Sequence, residues 1–291
     1  MEVLRSLLFV PGNREDMLQK SLQLTPDILV PDMEDSVPIS EKTAARDCIR
    51  NFLSSFQMEN RKVIPRINSL TTGILEEDLV AIVGKGILGV SVGKIDSPWE
   101  IGQISKLLDS LERKTCVPIG STKLIPWIET ARGVLNAGAI CQSSPRILGV
   151  AFGAEDFTAD MGVPRSEEGE ELFFARTSVA LAARAARIEA LDTPYVNFRD
   201  LDGLKDESIK ARRLGFRGKF AIHPGQITVI NDSFSPSPEE INYAREVLGA
   251  IKEAELQGKG ATSLDGKMID APVVERARKL LVIAEIIEEN S

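Results

Sequence analysis

GVAFGAEDFTADMG, residues 149–162, opens as a barrel-core strand would and then breaks into Ala154, Glu155 and Asp156. Two adjacent carboxylates at the end of an apolar run admit four readings: a surface turn, a helix cap, a metal site or an acid/base pair. What the other strand ends carry decides among them.

Working outward, short β-branched and apolar runs recur along the chain with helix-compatible amphipathic stretches between them. They are LRSLLFV (4–10), DILVPDME (27–34), KVIPRIN (62–68), LGVSVGK (88–94), TKLIPWIE (122–129), ILGVAFG (147–153), TPYVNFR (193–199) and KFAIHP (219–224). Alternation of this kind is the signal of βα units and a parallel sheet. Eight units within residues 1–233 match an α/β fold of the (β/α)8 TIM-barrel type, with an open doubly wound sheet as the structural alternative. The barrel predicts functional groups at the C-terminal strand ends. Those ends carry Pro11 and Gly12; Asp32, Glu34 and Asp35; Arg66 and Asn68; Lys94; Glu129; Glu155 and Asp156; Asn197 and Arg199; and His223. Buried strands joined by polar loops would also place charges there, so the series argues more strongly than any member. Residues 234–291 exceed a ring of eight and form a C-terminal helical extension. Ser237 or a neighbouring serine caps its first helix, GKGATSLDGKMIDAP is a Gly-rich loop, and VVERARKLLVIAEIIEE a last helix. The extension is expected to fold over a barrel mouth, its own or that of a neighbouring subunit.

Composition narrows the chemistry. The 291 residues are 43% hydrophobic and carry a net charge of −8, which suits a folded protein and disfavours nucleic acid as partner. Cys48, Cys116 and Cys141 form no CxxC pair, so a reducing compartment is expected and a zinc framework is not. No run approaches a membrane span and the start lacks signal-peptide architecture. The expected location is the cytoplasm, or the mitochondrial matrix if a presequence was removed. His223 is the only histidine, which excludes any two-histidine metal site and leaves the chemistry to carboxylates. Gly84, Gly86 and Gly89 have dinucleotide-fingerprint spacing but precede a strand instead of following one. Glu76 to Asp78 read as a solvated helix start.

Glu129 and Asp156 end successive strands, so in a barrel they converge over the mouth. Two carboxylates without histidine select a hard cation such as Mg2+; ion pairs with Arg132 or Lys94 are the competing reading. Arg66 brings a planar donor fork suited to a carboxylate or an enolate oxygen, unless it is taken up by the acidic cluster of residues 32–35. Asp32, Glu34 and Asp35 are candidates to orient that arginine, hold metal-bound water or relay a proton. FVPGNRE, residues 9–15, leads into a helix whose amides would favour an anion, with Arg14 and Lys20 adding positive charge.

Taken together, LLFVPGN, PDMEDSV, PRIN, GSTKLIPWIETARGVLNA, SPRILGVAFGAEDFTADMG, ELFFAR, AIHPGQI and GKMIDAP resemble the citrate lyase β-subunit group of Mg2+-dependent carbon–carbon lyases. That group includes citramalyl-CoA and malyl-CoA lyases and lies within the HpcH/HpaI aldolase superfamily. The resemblance covers nearly the whole chain and implies a (β/α)8 barrel assembled as a trimer or hexamer. It implies Mg2+, with Mn2+ as a substitute, on Glu129 and Asp156, and the oxoacid carboxylate against Ala154, Glu155 and Asp156. It puts Arg66 on the substrate and the CoA thioester near Pro11, Asn13, Arg14 and Lys20; Glu34 and Asp35, read from their position beside Arg66, complete the expected catalytic set. Asp270 resembles the aspartate that these lyases bring in from the C-terminal segment of a neighbouring subunit for proton transfer; read alone, it is a helix cap.

The reaction these expectations describe is retro-Claisen cleavage of a 3-hydroxyacyl thioester to acetyl-CoA and a 2-oxoacid. Competing readings are a citrate lyase β subunit acting on an acyl-carrier-protein thioester, a CoA-independent 2-oxoacid aldolase, and a non-catalytic subunit that keeps the fold.

Overall fold

A computed structural model describes residues 2–55, 61–166, 168–256, 258 and 260–289. The chain divides into two compact units, Leu4–Ser233 and Met1–Val3 with Phe234–Ser291.

The larger unit alternates strand and helix: β1 (Ser6–Pro11), α1 (Glu15–Ser21), β2 (Ile28–Asp32), α2 (Lys42–Ser55), β3 (Arg66–Ile67), α3 (Leu75–Ile82), β4 (Gly89–Val92), α4 (Pro98–Thr115), β5 (Lys123–Ile128) and α5 (Ala131–Cys141). It continues with β6 (Gly149–Phe152), α6 (Ala154–Met161), α7 (Phe173–Ala186), β7 (Glu189–Asp192), α8 (Leu201–Leu214), β8 (Gly218–Ala221) and α9 (Ile227–Phe234). The eight strands form a closed parallel barrel in sequence order, β8 pairing back onto β1 through Ser6 and Lys219. Closure removes the sheet edges that an open doubly wound sheet would leave, and each parallel neighbour is reached by a helical crossover.

Alternate residues point inward. Leu7, Ile28, Val30, Ile64, Ile125, Trp127, Ala151, Leu191 and Phe220 form the barrel core with Phe9 packed against it. The rings of Phe9, Trp127 and Phe220 lie with centroids 4.3–5.8 Å apart. They plug the barrel, so the mouth has an aromatic floor rather than a channel.

The seventh strand is not TPYVNFR. It is Glu189–Asp192, immediately upstream, and residues 193–199 belong to the following loop. Pro194 limits pairing in that run, whereas EALD pairs on both sides although its ends are acidic. The acid at its C-terminal end has partners. Asp192, fully buried and facing outward, accepts from Lys219 at 2.7 Å and Arg176 at 2.6 Å, and Lys219 also donates to Glu207 at 2.8 Å. Asp78, read as part of a solvated helix start, is also buried: it accepts from Arg46 at 2.7 Å and from the Asn68 amide at 2.8 Å.

At the N-terminal end of the barrel, Arg146 donates to Glu112 and to the Thr122 carbonyl, and Glu112 also accepts the Gly120 and Thr122 amides at 2.8 Å. Burial opposes the Glu112 charge, but Arg146 and the two amides hold its pKa at about 2, below the ordinary 4.5. A depressed carboxyl pKa contributes stability above pH 4.5 and loses it as pH falls toward 2; the shift corresponds to about 3 kcal/mol. We expect Glu112→Gln to lower unfolding free energy at pH 7 by about 3 kcal/mol, with the deficit shrinking at pH 3, measured by urea titration at both values.

The smaller unit pairs α10 (Pro238–Leu256) with α11 (Ala271–Glu289) around Ala244, Val247, Ile251, Ile269, Val274 and Ala277. Ser237 caps α10 reciprocally with Glu240, at 3.2 and 2.8 Å. The predicted Gly-rich loop contains a hairpin, β9 (Thr262–Leu264) with β10 (Lys267–Ile269). Asp265 and Gly266 turn it with φ of 49° and 75°, as a two-residue loop of positive φ requires. No described helix is long and apolar enough to cross a membrane.

Candidate active site

Seven of the predicted strand-end side chains meet at the C-terminal mouth of the barrel: Asp32, Glu34, Asp35, Arg66, Lys94, Glu129 and Asp156. Glu129 follows β5 and is 4% exposed. It fits because two neighbouring residues lack side chains: a Cβ on Gly153 would lie 2.5 Å from Glu129 Oε1, and one on Gly93 would lie 3.2 Å from Glu129 Oε2. The same Gly93 Cβ would lie 2.9 Å from Glu34 Oε1, so Glu34 and Glu129 flank one glycine. The Lys94 amide donates to Glu129 Oε2 at 2.8 Å, and the Lys94 ammonium lies 3.5 Å from Asp156 Oδ1. Asp156 stands in the first turn of α6.

Charge is unevenly matched here. Arg66 is 8% exposed and grips Asp32 with two parallel bonds, Nε at 2.8 Å and Nη2 at 2.7 Å, while Nη1 meets Asp35 at 2.8 Å and Glu34 at 3.3 Å. Its guanidinium carbon lies 4.5 Å above the Phe9 ring, which fixes the fork on the aromatic floor. Burial works against the Asp32 charge, but Arg66 holds its pKa below the ordinary range. Glu34 and Glu129 have no such match. Burial, Asp35 and Glu129 raise Glu34 to about 8 against the pull of Arg66. Burial and Asp156 raise Glu129 to about 7 although the Lys94 amide opposes them. Buried Glu129 beside half-exposed Asp156, short of positive charge, is a donor set of the kind a hard divalent cation takes. The residues fit Mg2+ in kind and charge, although no group of three or more metal-ligating side chains is gathered among the described residues. Open positions on the ion would therefore fall to ligand and water.

The other predicted positions have partners of their own. The Ala154 amide donates to Thr193 Oγ1 at 3.2 Å, leaving the first-turn amides of Glu155 and Asp156 for an anion. The Glu155 carboxylate meets Arg165 Nε at 3.4 Å. Pro11 ends β1, and Gly12 follows so tightly that its Cβ would lie 2.5 Å from the Asp32 carbonyl oxygen. Asn13 donates to Glu41. Arg14 and Lys20 do not form a free positive patch: both reach Asp16, at 3.2 and 3.6 Å, and α1 carries Glu15 and Asp16 in its first turn. Asn197 and Arg199 lie in the loop after β7, and His223 accepts the Gly225 amide at 3.1 Å. In the smaller unit, Asp270 caps α11, accepting the Val273 amide at 3.3 Å.

Sequence reasoning missed Lys42 and named Asn68 only as a strand-end group, without its supporting role. Lys42 Nζ donates to the carbonyls of Met33 and Glu34 at 2.7 and 2.6 Å, and Asn68 Nδ2 donates to Met33 at 2.9 Å. These bonds fix the segment that presents Glu34. Gly93 and Gly153 had a readable signal, since each directly follows an apolar strand, Gly93 before Lys94 and Gly153 before Ala154, Glu155 and Asp156. A cavity of about 590 Å3 lies at the opposite end of the barrel, among Cys141, Ser144, Ile147, Ala186 and Ile188, far from these carboxylates along the strands.

Residues 5–224 match the family model described as HpcH/HpaI aldolase/citrate lyase. The chain belongs to the HpcH/HpaI aldolase/citrate lyase family. Among relatives in this family, it is 36% identical to the citrate lyase subunit beta of Leuconostoc mesenteroides subsp. cremoris over 96% of this chain and 93% of that protein. It is 37% identical to the mitochondrial citramalyl-CoA lyase of Rattus norvegicus over 98% of this chain and 87% of the relative. The crystal structure of the Mycobacterium tuberculosis protein CitE in complex with magnesium, acetoacetate and coenzyme A superposes with a TM-score of 0.79 at 30% identity, covering 96% of this chain and 97% of that one.

The contact with Glu129 gives Gly153 a testable role. Gly153→Ala keeps an allowed backbone, with φ at −107°, but drives a methyl into Glu129. We expect at least a tenfold loss of Mg2+ affinity by calorimetry with the circular dichroism spectrum retained, a displacement of one to two kcal/mol by the tenfold rule of about 1.4 kcal/mol.

Proposed function

We propose that this chain is a Mg2+-dependent carbon–carbon lyase that reversibly cleaves a 3-hydroxyacyl thioester of the citramalyl, malyl or citryl type into an acetyl thioester and a 2-oxoacid. The observation that carries the reading is the meeting of Glu129, Glu34 and Asp156 at one mouth with too little positive charge, beside an arginine fork locked in place. Relatives named citrate lyase subunit beta and citramalyl-CoA lyase support it.

Glu129 and Asp156 are the residues that would hold the ion. When bound, Mg2+ supplies Lewis acidity toward the substrate hydroxyl and adjacent carboxylate, lowering the alcohol pKa. The remaining work falls to the chain. The Glu155 and Asp156 amides bind the carboxylate that becomes part of the oxoacid. Asp270 accepts the hydroxyl proton, supplied in this reading by the smaller unit of a neighbouring subunit in a trimer or hexamer. As the hydroxyl becomes a ketone, the C–C bond breaks and its electron pair passes to the thioester enolate. Arg66, preset by Asp32, stabilises the enolate oxygen without reorganising. Protonation of the enolate carbon completes the acetyl group. Glu34 and Asp35 orient Arg66 from its open side. Pro11, Asn13, Arg14 and Lys20 border the approach of the thioester carrier; with Asp16 nearby, Arg14 and Lys20 act on it as a dipolar edge and not as a strong cationic patch. The proposed compartment is the cytoplasm.

The Leuconostoc relative favours a second reading, in which the chain works as a citrate lyase β subunit on an acyl-carrier-protein thioester. One assay separates the two. Purified chain with Mg2+ is given citramalyl-CoA, malyl-CoA and citryl-CoA, and acetyl-CoA and oxoacid are followed. Turnover of a free CoA thioester supports the first reading. No turnover of any CoA thioester, with turnover of the citryl carrier protein, would replace it with the second, and inactivity on all would reject both.

A further inference from the structure

The cations at the mouth differ in how firmly they are held. Arg66 is bonded to Asp32, Glu34 and Asp35 and almost fully buried. Arg165 is shared among Glu155, Glu171 and Glu207. Lys94 has a different setting. Its side chain is 44% exposed, and its recorded ion pair is the 3.5 Å contact with Asp156. Glu34, Asp35 and Glu129 add to the negative field around it.

The backbone of Lys94 is fixed in a conformation that a side-chain-bearing residue seldom takes. Its φ of 58° lies in the left-handed region, where a Cβ crowds the following carbonyl, and Gly93 before it yields space to Glu34 and Glu129. That conformation aims the Lys94 amide at Glu129 while the side chain spans to Asp156. One residue thus touches both carboxylates proposed as metal ligands, and its ammonium stands where a cation is wanted.

Charge balance then assigns a consequence. With a divalent ion on Glu129 and Asp156, two negative charges are matched by two positive ones, and the Lys94 ammonium loses the partner it has. Arg66 is already matched by Asp32 and Asp35. Lys94 is left as a flexible point charge on a four-carbon stem beside the ion, held by no direct pair among the described residues though in the field of Glu34 and Asp35, and a ligand carboxylate within its reach can pair with it. A 2-oxoacid with one carboxylate uses that group at the ion and the α6 amides. A second carboxylate has Lys94 to meet.

From this geometry we propose that Lys94 is a specificity-determining residue: it neutralises Asp156 while the metal is away and, with the metal in place, binds the second carboxylate of a dicarboxylic 2-oxoacid. The inference rests on the lyase reading for its place in a reaction, and it selects the citryl type of substrate over the citramalyl type. A hydrogen bond between the Lys94 ammonium and a ligand carboxylate is worth about tenfold or more in affinity, whereas a methyl in the same place offers Lys94 nothing.

Binding tests this without requiring turnover. Mg2+ alone, then oxaloacetate and pyruvate in the presence of Mg2+, are titrated by calorimetry into the full chain and into Lys94→Met and Lys94→Arg. Wild type is expected to bind oxaloacetate at least about tenfold tighter than pyruvate, Lys94→Met to reduce that ratio to within about threefold, and Lys94→Arg to restore part of it. Mg2+ alone should bind Lys94→Met several-fold tighter, because a competing charge beside Asp156 is gone. A wild-type chain without preference for oxaloacetate, a Lys94→Met chain that keeps it, or Mg2+ binding that weakens in Lys94→Met would each overturn the proposal. If wild type turned over no thioester while the oxaloacetate preference vanished with Lys94, the lyase reading would fall and the Lys94 assignment would stand.

Discussion

Glu129→Gln is expected to lower Mg2+-dependent lyase turnover at least about a thousandfold, a loss of about 4 kcal/mol of transition-state stabilisation and the size of effect a Lewis-acid ion supplies. The change is nearly isosteric. The replacement amide would occupy the slot left by Gly93 and Gly153, and the Lys94 amide could still donate to its carbonyl oxygen. What disappears is the negative charge, so lost activity with unchanged folding isolates the electrostatic role. A stability measurement makes the prediction sharper. Burial and Asp156 raise the Glu129 pKa to about 7, above the ordinary 4.5. A carboxyl with a raised folded pKa favours the folded state below pH 4.5, and that advantage is lost as pH rises through 7. The metal-free protein should therefore lose stability across this window, and Glu129→Gln should lose less. Mg2+ reverses the trend by binding the deprotonated pair, so its stabilising effect should be larger at pH 8 than at pH 6, read as the shift in Tm on adding Mg2+.

Arg66→Lys is expected to cost both stability and turnover, because one guanidinium serves both. Asp32 is 1% exposed and takes two parallel bonds from Arg66, a geometry an ammonium cannot reproduce. Removing one partner of such a buried pair costs about 3–5 kcal/mol; lysine keeps the charge, so a loss of about 2 kcal/mol is expected for Arg66→Lys and the full range for Arg66→Met. Turnover should fall at least about a hundredfold in Arg66→Lys, the loss expected when one positioned oxyanion donor is removed. Urea titration gives the first quantity and kcat the second. Asp32→Asn separates them further: it leaves the fork but frees its orientation, so kcat should drop while KM changes little.

The barrel was legible in the sequence because parallel strands buried on both faces read as apolar runs, and seven of the eight runs overlap the observed strands. TPYVNFR failed for a physical reason. Its β-branched and aromatic residues imitate a strand, while the true strand, EALD, ends in a buried acid, Asp192, stabilised by Arg176 and Lys219 on other elements. A single strand's sequence contains no trace of such partners. The Gly-rich loop before Asp270 concealed a hairpin that Asp265–Gly266 signals locally. At the mouth, residue types and strand ends sufficed to bring Glu129, Asp156, Arg66 and Glu34 together. They did not disclose how Arg66 is held: the acidic cluster competing for it in the sequence is the cluster that binds it, and the fork faces the mouth because Asp32 and Asp35 grip two of its sides. Arg14 and Lys20 are cationic one by one, but Asp16, two residues from one and four from the other, lies within reach of both and cancels much of their field.

The central claim is that Glu129 and Asp156 jointly seat a divalent cation. Calorimetric titration of Mg2+ at pH 8 into wild type, Glu129→Gln and Asp156→Asn tests it most directly. The account predicts one site in wild type and binding weakened at least about a hundredfold in each variant, with about one proton released as the wild-type titration is moved down to pH 6. Mg2+ binding of undiminished affinity in both folded variants would contradict it.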